Sequence, residues 1–282
     1  MKSVAVIGAG TMGIGIAAAA AVAGHAVRVT DPDQVALGNA GARIGAILDS
    51  SVARGRITAD QRSAASGRVT TEPSLDRVAE DAAIVIEAAP EDLVLKQAIF
   101  GRLSAVVSLD CLLATNTSSL SVTAIAEAAA APGRVIGMHF FNPVAAMKLV
   151  ELVRGEQTTD TAVATALEFV ESLGKRSIVV GDTPGFATSR LGVVLGLEAM
   201  RMLEQGVASA RDIDTAMELG YNHPVGPLRL TDIVGLDVRL AVAERLHTAL
   251  GDSTYEPPEI LRRMVAEGRL GKKSGRGFYD WP

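Results

Sequence analysis

Short apolar segments alternate with longer helical stretches from residue 3 to residue 180. Segment 3–8 contains almost only apolar residues, as expected of a parallel strand that is buried on both faces. Strands that alternate with helices predict an α/β fold with a doubly wound, mostly parallel sheet of the Rossmann type. The predicted strands are 3–8, 26–30, 68–71, 83–87, 111–114, 134–140, 149–153 and 177–180. The predicted helices are 14–23, 33–54, 58–66, 74–80, 91–104, 122–130 and 160–173.

The pattern changes at residues 181–186, after which only helical periodicity remains. We therefore predict two domains, residues 1–183 and residues 184–282. The second is an apolar, all-α domain, which is a common way to make a dimer interface, although its helices can equally bury their faces on one another. Its predicted helices are 188–205, 209–219, 227–232, 236–250 and 258–267.

Charge and composition narrow the class of protein. A net charge of −5 and a sequence pI near 5.5 disfavour a nucleic-acid surface, which normally carries a basic field. Apolar residues make up 48% of the chain, but no uninterrupted apolar run is long enough to span a bilayer. The single cysteine, Cys111, excludes an internal disulfide, and the four histidines lack metal-ligand spacing, so no metal site is predicted. With no signal-peptide pattern at the N-terminus, a soluble cytoplasmic protein is expected.

A glycine-rich turn, G-A-G-T-M-G at residues 8–13, directly follows the first predicted strand and opens an alanine-rich helix. In this context G-x-G-x-x-G is the fingerprint of a dinucleotide site. The first two glycines permit a tight turn and close approach of a pyrophosphate, the third lets the helix pack on the strand, and the helix N-terminus supplies amide donors. The predicted cofactor contacts in this turn are Gly8, Gly10, Thr11, Met12 and Gly13.

The second strand ends at Asp31, where a carboxylate can accept both ribose hydroxyls of an adenosine. Because that charge would repel a 2′-phosphate, we predict NAD(H) over NADP(H). Arg28 in the same strand would soften the preference if it faced the ribose. The alternative for Asp31 is a structural role, as the cap of the helix that begins near Asp33.

The stretch 137–153 gathers a His, an Asn and a Glu at a strand end, where α/β sheets place ligands and chemistry. An apolar strand carries His139, the polar stop Asn142 follows, and a second short apolar strand carries Glu151. Oxidation of an alcohol needs a base near neutral pH, which a histidine supplies, and a carboxylate stabilises its charged form. We therefore predict His139 as a general base and Glu151 as its orienting partner. The alternative is a satisfied core histidine.

Two polar stretches are open to more than one interpretation. The insertion between the second and third strands is either a solvated basic face or a site for a phosphate-bearing substrate. The loop at 115–119, T-N-T-S-S, is either a binding loop or an ordinary capping segment. The basic residues of the insertion are Arg43, Arg54, Arg56 and Arg62.

Seven segments, in order along both predicted domains, resemble the L-3-hydroxyacyl-CoA dehydrogenase family, and in particular its short bacterial members that act on 3-hydroxybutyryl-CoA. The matching segments are 6–17 (VIGAGTMGIGIA), 85–91 (VIEAAPE), 116–121 (NTSSLS), 137–151 (GMHFFNPV and MKLVE), 182–186 (DTPGF), 224–232 (PVGPLRLTD) and 271–279 (GKKSGRGFY). The resemblance implies reversible, NAD-dependent oxidation of an (S)-3-hydroxyacyl-CoA to the 3-ketoacyl-CoA. It also implies a homodimer and a helical domain that contributes to the acyl-CoA site.

The resemblance also implies roles for individual residues. His139 would be the base, Glu151 would balance the imidazolium, and Ser118 would hydrogen-bond the substrate oxygen and contact the cofactor. Asn142 would lie near the nicotinamide and complete the catalytic set. Further implied contacts are Glu91, Lys96 and Lys273 to NAD, and Arg54 to the coenzyme A phosphates.

One position departs from the family pattern. The family commonly has Asn before the Arg that follows Pro-Gly-Phe, where it helps to hold the substrate carbonyl. Here that position is Ser189, whose hydroxyl is shorter but still donates a hydrogen bond. This departure bears on substrate length and turnover more than on reaction type. Two other functions remain as alternatives: a dehydrogenase of a free small hydroxy acid, and a non-catalytic NAD-binding protein.

Overall fold

The computed structural model describes residues 1–282 and divides them into two units, Met1–Thr183 and Pro184–Pro282. The strands, all in the first unit, are β1 (Ser3–Ile7), β2 (Ala26–Thr30), β3 (Val69–Thr71), β4 (Ile84–Glu87), β5 (Leu112–Thr115), β6 (Val135–Phe140), β7 (Leu149–Arg154) and β8 (Arg176–Gly181). The helices of this unit are α1 (Thr11–Val22), α2 (Gln34–Gly38), α3 (Ala40–Ala53), α4 (Ala59–Ser66), α5 (Leu75–Ala79), α6 (Leu93–Val106), α7 (Val122–Ala126) and α8 (Asp160–Ser172).

The strands form one sheet in the order β3-β2-β1-β4-β5-β6-β7-β8. Every neighbouring pair is parallel except β6 and β7, which run antiparallel. The carboxyl ends of β1, β2, β4, β5 and β6 therefore share one edge of the sheet, and β7 begins at that edge. The predicted α/β fold with a mostly parallel, Rossmann-type sheet is confirmed.

The apolar pattern of the strands is explained by helices on both faces of the sheet. Every residue of β4, β5 and β6 is buried, including the few polar ones. Helix α1 is nearly all alanine, glycine and isoleucine, and most of its residues are buried against the sheet and α3. Small side chains permit this close approach, so the alanine run is a packing feature and does not signal membrane insertion. No helix of the protein is long and apolar enough to cross a membrane.

The predicted single helix 33–54 is wrong, because the chain is divided there into α2 and α3. Asn39 ends α2 and also begins α3. Gly38 and Asn39 are poor helix formers, and their backbone entropy and side-chain competition explain the break. The preceding residue Asp33 caps α2, accepting hydrogen bonds from the amides of Val35 and Ala36.

The second unit is helical, as predicted. Its helices are α9 (Thr188–Glu204), α10 (Ala210–Gly220), α11 (Pro227–Val234), α12 (Leu236–Leu250) and α13 (Glu259–Ala266). They enclose a second apolar core, separate from that of the first unit. The C-terminal segment is held to this unit by the buried carboxylate of Asp232, which accepts hydrogen bonds from the amides of Phe278 and Tyr279 and from Trp281 Nε1.

Candidate active site

His139 and Glu151 form a cross-strand pair at the edge where β6 ends and β7 begins. The antiparallel register places them directly opposite each other, and His139 Nδ1 lies 2.8 Å from Glu151 Oε2. Glu151 is fully buried and His139 is 8% exposed. A carboxylate on Nδ1 selects the tautomer in which Nε2 can accept a proton. The pair can therefore act as a base with its orienting carboxylate.

The polar residues around this pair are arranged by the strand ends. The amide of Phe140 donates to Asn116 Oδ1 at 2.9 Å, which joins the loop after β5 to the end of β6. The ring of Phe141 packs against the imidazole of His139, with centroids 4.5 Å apart. Asn142 follows at an exposed position and is joined to Pro143 by a cis peptide bond.

Glu91 organises the polar loop that contains Ser118. Its Oε1 accepts hydrogen bonds from the Thr117 hydroxyl at 2.7 Å and from the amides of Ser118 and Ser119 at 3.0 and 3.1 Å. Burial works to raise the pKa of Glu91, but these donors and the charge of Lys96 hold it below its ordinary value. The loop is thus an anchored structure around a carboxylate, with the Ser118 side chain exposed.

Lys96 lies deeper than the sequence suggested. It is 1% exposed, its Nζ donates to Glu87 Oε1 at 2.6 Å, and Glu91 Oε2 is 3.7 Å away. Glu87 is fully buried and also accepts from the Thr115 hydroxyl at 2.6 Å. Sequence reasoning missed Glu87, although a carboxylate that ends an apolar strand was a signal, since a buried charge requires a partner.

The glycine turn has the geometry that the fingerprint requires. Gly8 has φ +111, and a Cβ there would lie 2.7 Å from the carbonyl oxygen of Ala88. A Cβ on Gly13 would lie 1.8 Å from the Gly8 carbonyl oxygen. The helix therefore packs so closely on the turn that no side chain fits at this position. By contrast, a Cβ on Gly10 would meet nothing within 4 Å, and no side chain caps α1. The turn therefore leaves open space at the α1 N-terminus, next to Thr11 and Met12, which fits a pyrophosphate.

Asp31 closes the other side of this turn. Its Oδ2 accepts from the amide of Ala9 at 2.7 Å and its Oδ1 from the amide of Asp33 at 2.8 Å. Each carboxylate oxygen retains a further lone pair for a ribose hydroxyl. Because Asp33 caps α2 itself, the alternative of Asp31 as the helix cap is wrong.

Two arginines near the turn differ in where their guanidinium groups lie. Arg28 donates to the carbonyl oxygens of Arg77 and Glu80 at the end of α5, so its charge is held there. Arg43, from α3, donates through NH1 to the carbonyl oxygen of Ala9 at 2.5 Å. The sequence placed Arg43 only on a basic face, whereas the structure brings it to the turn.

The remaining predicted site residues lie elsewhere. Arg54 is exposed and ends α3, and Ser189 lies in the first turn of α9 at intermediate exposure. Lys273 Nζ donates to Asp237 Oδ2 at 2.6 Å within the helical unit. Cys111 is buried, and burial raises the pKa of its thiol to about 11, as expected of a core residue and not of a nucleophile.

A dinucleotide turn, an acidic strand end and a His–Glu pair on one sheet edge define a nicotinamide-dependent oxidoreductase. The family model for the NAD-binding domain of 3-hydroxyacyl-CoA dehydrogenase matches residues 3–183, and the model for the C-terminal domain matches residues 185–281. The chain therefore belongs to the 3-hydroxyacyl-CoA dehydrogenase family, and it is an NAD-dependent enzyme.

Relatives match over the full length. A 3-hydroxybutyryl-CoA dehydrogenase of Mycobacterium tuberculosis is 42% identical over 283 residues, covering 100% of this chain and 99% of the relative. That of Bradyrhizobium diazoefficiens is 42% identical over 281 residues, covering 100% and 96%. The crystal structure of an (S)-3-hydroxybutyryl-CoA dehydrogenase of Ralstonia eutropha is 42% identical with a TM-score of 0.94, covering 100% of this chain and 99% of that one.

Proposed function

We propose that this protein oxidises the 3-hydroxyl group of a short-chain (S)-3-hydroxyacyl-CoA, such as 3-hydroxybutyryl-CoA, to the ketone, and catalyses the reverse reaction. The observation that carries the proposal is the buried His139–Glu151 pair, 2.8 Å apart, on the sheet edge that also bears the dinucleotide turn. The names of full-length relatives supply the substrate class.

His139 acts as the general base in this proposal. Its Nε2 takes the hydroxyl proton while hydride leaves C3 of the substrate, and bound NAD supplies the acceptor for that hydride. Glu151 holds the ring through Nδ1 and stabilises the imidazolium that forms. General base catalysis of this kind is worth about 10²–10⁴-fold. Ser118 would hydrogen-bond the substrate oxygen, and Ser189 would contact the carbonyl that the family commonly holds with Asn.

The proposed cofactor contacts follow from the fit of the turn and from the resemblance. Asp31 would bind the adenosine ribose, and the amides of the turn would bind the pyrophosphate. Asn142, Glu91 and Lys273 would contact the cofactor directly. For Lys96, whose Nζ is buried between two carboxylates, the structure favours an indirect contribution through Glu91.

We also propose that the α3–α4 insertion receives the coenzyme A phosphates, with Arg54 as one contact. A cavity of about 200 Å³ beside α3 supports this, because apolar side chains and two cations line it. Of the cations, Lys175 donates to the carbonyl oxygens of Val144 and Met147 at 2.6 Å each, and Arg56 lies on the turn that Arg54 begins. Basic groups beside an apolar wall suit a nucleotide with an attached pantetheine chain.

We propose that the protein forms a homodimer through its helical unit. It exposes apolar side chains on neighbouring helices: Leu191 and Leu195 on α9, Leu230, Ile233 and Val234 on α11, and Val238 on α12. Exposed apolar surface of this kind is typical of an interface between copies. Sedimentation of the purified protein tests this proposal, and a concentration-independent monomer would contradict it.

The reaction is tested by following NADH consumption with acetoacetyl-CoA, with a longer 3-ketoacyl-CoA and with free acetoacetate. We expect saturation with the CoA thioesters, little activity with NADPH, and loss of most turnover in His139→Gln with NADH binding retained. Activity on acetoacetate alone would favour a free hydroxy-acid dehydrogenase. Tight NADH binding with no turnover on any thioester would indicate a non-catalytic NAD-binding protein.

A further inference from the structure

Arg239, on α12, is a buried cation without a counter-charge. It is 7% exposed, and its Nε has no hydrogen-bond partner. Two other arginines, Arg134 and Arg269, also leave Nε unpaired, but their terminal nitrogens donate to backbone carbonyl oxygens. Burial is the one cause that lowers the pKa of Arg239, to about 10, so the group stays charged at neutral pH without an acid beside it.

Such an arrangement is costly unless an anion completes it. Taking a charge out of water costs several kcal/mol, and arginines are rarely buried without a partner. A guanidinium presents a fork of N–H donors that matches a carboxylate. The buried position of Arg239 therefore indicates that its partner comes from outside the chain.

Helix α9 lies beside the guanidinium of Arg239. A Cβ on Gly192 of α9 would lie 3.5 Å from its NH1, and a Cβ on Gly196 would lie 3.5 Å from its Nε. The nearby Thr231 hydroxyl donates to the carbonyl oxygen of Pro227 at 2.9 Å. The guanidinium thus packs against the backbone of α9 at two glycines and occupies the space that larger side chains would fill.

Ser189 lies on the same face of α9. Positions i, i+3 and i+7 of a helix share a face, which groups Ser189 with Gly192 and Gly196. At 1.5 Å per residue, Ser189 and Gly192 are about 4.5 Å apart along the axis, a distance that a few methylene groups cover. In the proposed function Ser189 contacts the substrate carbonyl, so Arg239 lies within reach of the far end of a short acyl group.

We propose that Arg239 binds a terminal carboxylate on the acyl group, so that the preferred substrates are 3-hydroxyacyl thioesters of dicarboxylic acids. This inference rests on the proposed function and narrows its substrate class. A carboxylate supplied by a second copy of the chain fits less well. The exposed face of α9 bears Leu191 and Leu195, 65% and 44% exposed, whereas Arg239 is buried in the single chain.

The test compares matched thioesters that differ only at the acyl terminus. Glutaryl-, adipyl- and suberyl-CoA are paired with pentanoyl-, hexanoyl- and octanoyl-CoA, none of which can be turned over because they lack the 3-oxygen. Calorimetry on the enzyme saturated with NADH should show one diacid bound about tenfold tighter than its monoacid, the factor expected for a charge-assisted hydrogen bond. Arg239→Gln should abolish that preference and Arg239→Lys should keep part of it. Arg245→Gln, an exposed charge change on the same helix, should keep all of it.

Turnover separates the failure of this inference from failure of the proposed function. With 3-oxoadipyl-CoA and 3-oxohexanoyl-CoA, the diacid should show the higher kcat/KM, and Arg239→Gln should lower that value while raising the value for the monoacid. Consumption of NADH without any diacid preference, in binding or turnover, would overturn the role of Arg239 alone. No consumption with either substrate would overturn the reaction. If Arg239→Gln weakened self-association and left the preference intact, the arginine would belong to an interface and the inference would be wrong.

Discussion

Two buried cations, one in each unit of the chain, differ in whether the fold gives them a counter-charge. Lys96 of the α/β unit is 1% exposed, and its ammonium lies 2.6 Å from Glu87 and 3.7 Å from Glu91. Arg239 of the helical unit is 7% exposed and has no ion pair. The first charge is satisfied by the fold itself, and the second is not.

Side chains that are paired within the fold build a site, whereas an unpaired side chain can receive a ligand. In the α/β unit, Glu91 is held by its bond to Thr117 and by the charge of Lys96, and His139 is held by Glu151. These pairs fix the geometry before substrate arrives, which is how preorganised sites reduce the cost of reaching the transition state. Arg239 instead keeps its hydrogen-bonding capacity for a partner outside the chain.

The largest expected effect comes from replacing Lys96, the paired lysine. Lys96→Met leaves the fully buried Glu87 without its cation, and breaking a buried pair from one side costs about 3–5 kcal/mol. We expect a fall of that size in the free energy of unfolding of the α/β unit, measured in urea, together with weaker NADH binding. Lys148→Met, at an exposed position, is the matched control and should change stability by less than about 0.5 kcal/mol.

A double variant shows whether the loss of stability comes from the unpaired carboxylate of Glu87. Adding Glu87→Gln to Lys96→Met removes the unpaired charge, so part of the lost stability should return as a coupling energy. Additive losses would mean that Lys96 acts through packing of its aliphatic chain and not through the ion pair.

The second buried pair is expected to affect turnover more than binding. Glu151→Gln keeps the shape of the side chain but no longer stabilises the imidazolium, so we expect kcat to fall about 10²-fold. The Kd for NADH, measured by fluorescence quenching, should stay within about twofold, since the dinucleotide turn is unchanged. A parallel loss of NADH affinity would indicate that Glu151 supports the sheet edge as a whole and does not act through His139.

The sequence was sufficient to predict the mostly parallel sheet and the helical part that follows it, because these depend on local periodicity. It also paired His139 with Glu151, which the β6–β7 register places opposite each other. It missed the break at Asn39, where local propensity outweighs a helical pattern.

The charge networks were beyond sequence reasoning for a physical reason. The hydrogen bond from Lys96 to Glu87 depends on how α6 packs against β4. Arg239 has no ion pair because α9 and α11 place glycines and a threonine beside it, and no carboxylate. Arg239 was overlooked because an arginine on an amphipathic helix is normally a solvated residue. Only its burial reveals that it lacks a partner.

The smallest expected effect is the change in stability caused by Arg239→Met. It tests the difference between Lys96 and Arg239 most directly. Removing an unpaired buried charge takes away a desolvation cost and leaves no carboxylate stranded, so the free energy of unfolding should stay within about 1 kcal/mol of the parent or rise. The measurement uses the same urea titration as Lys96→Met. Adipyl-CoA at one fixed concentration should raise the melting temperature of the parent more than that of the variant, because a ligand stabilises the folded state in proportion to how tightly it binds. A loss of several kcal/mol would mean that Arg239 already has a partner in the folded protein, and the two cations would then be alike.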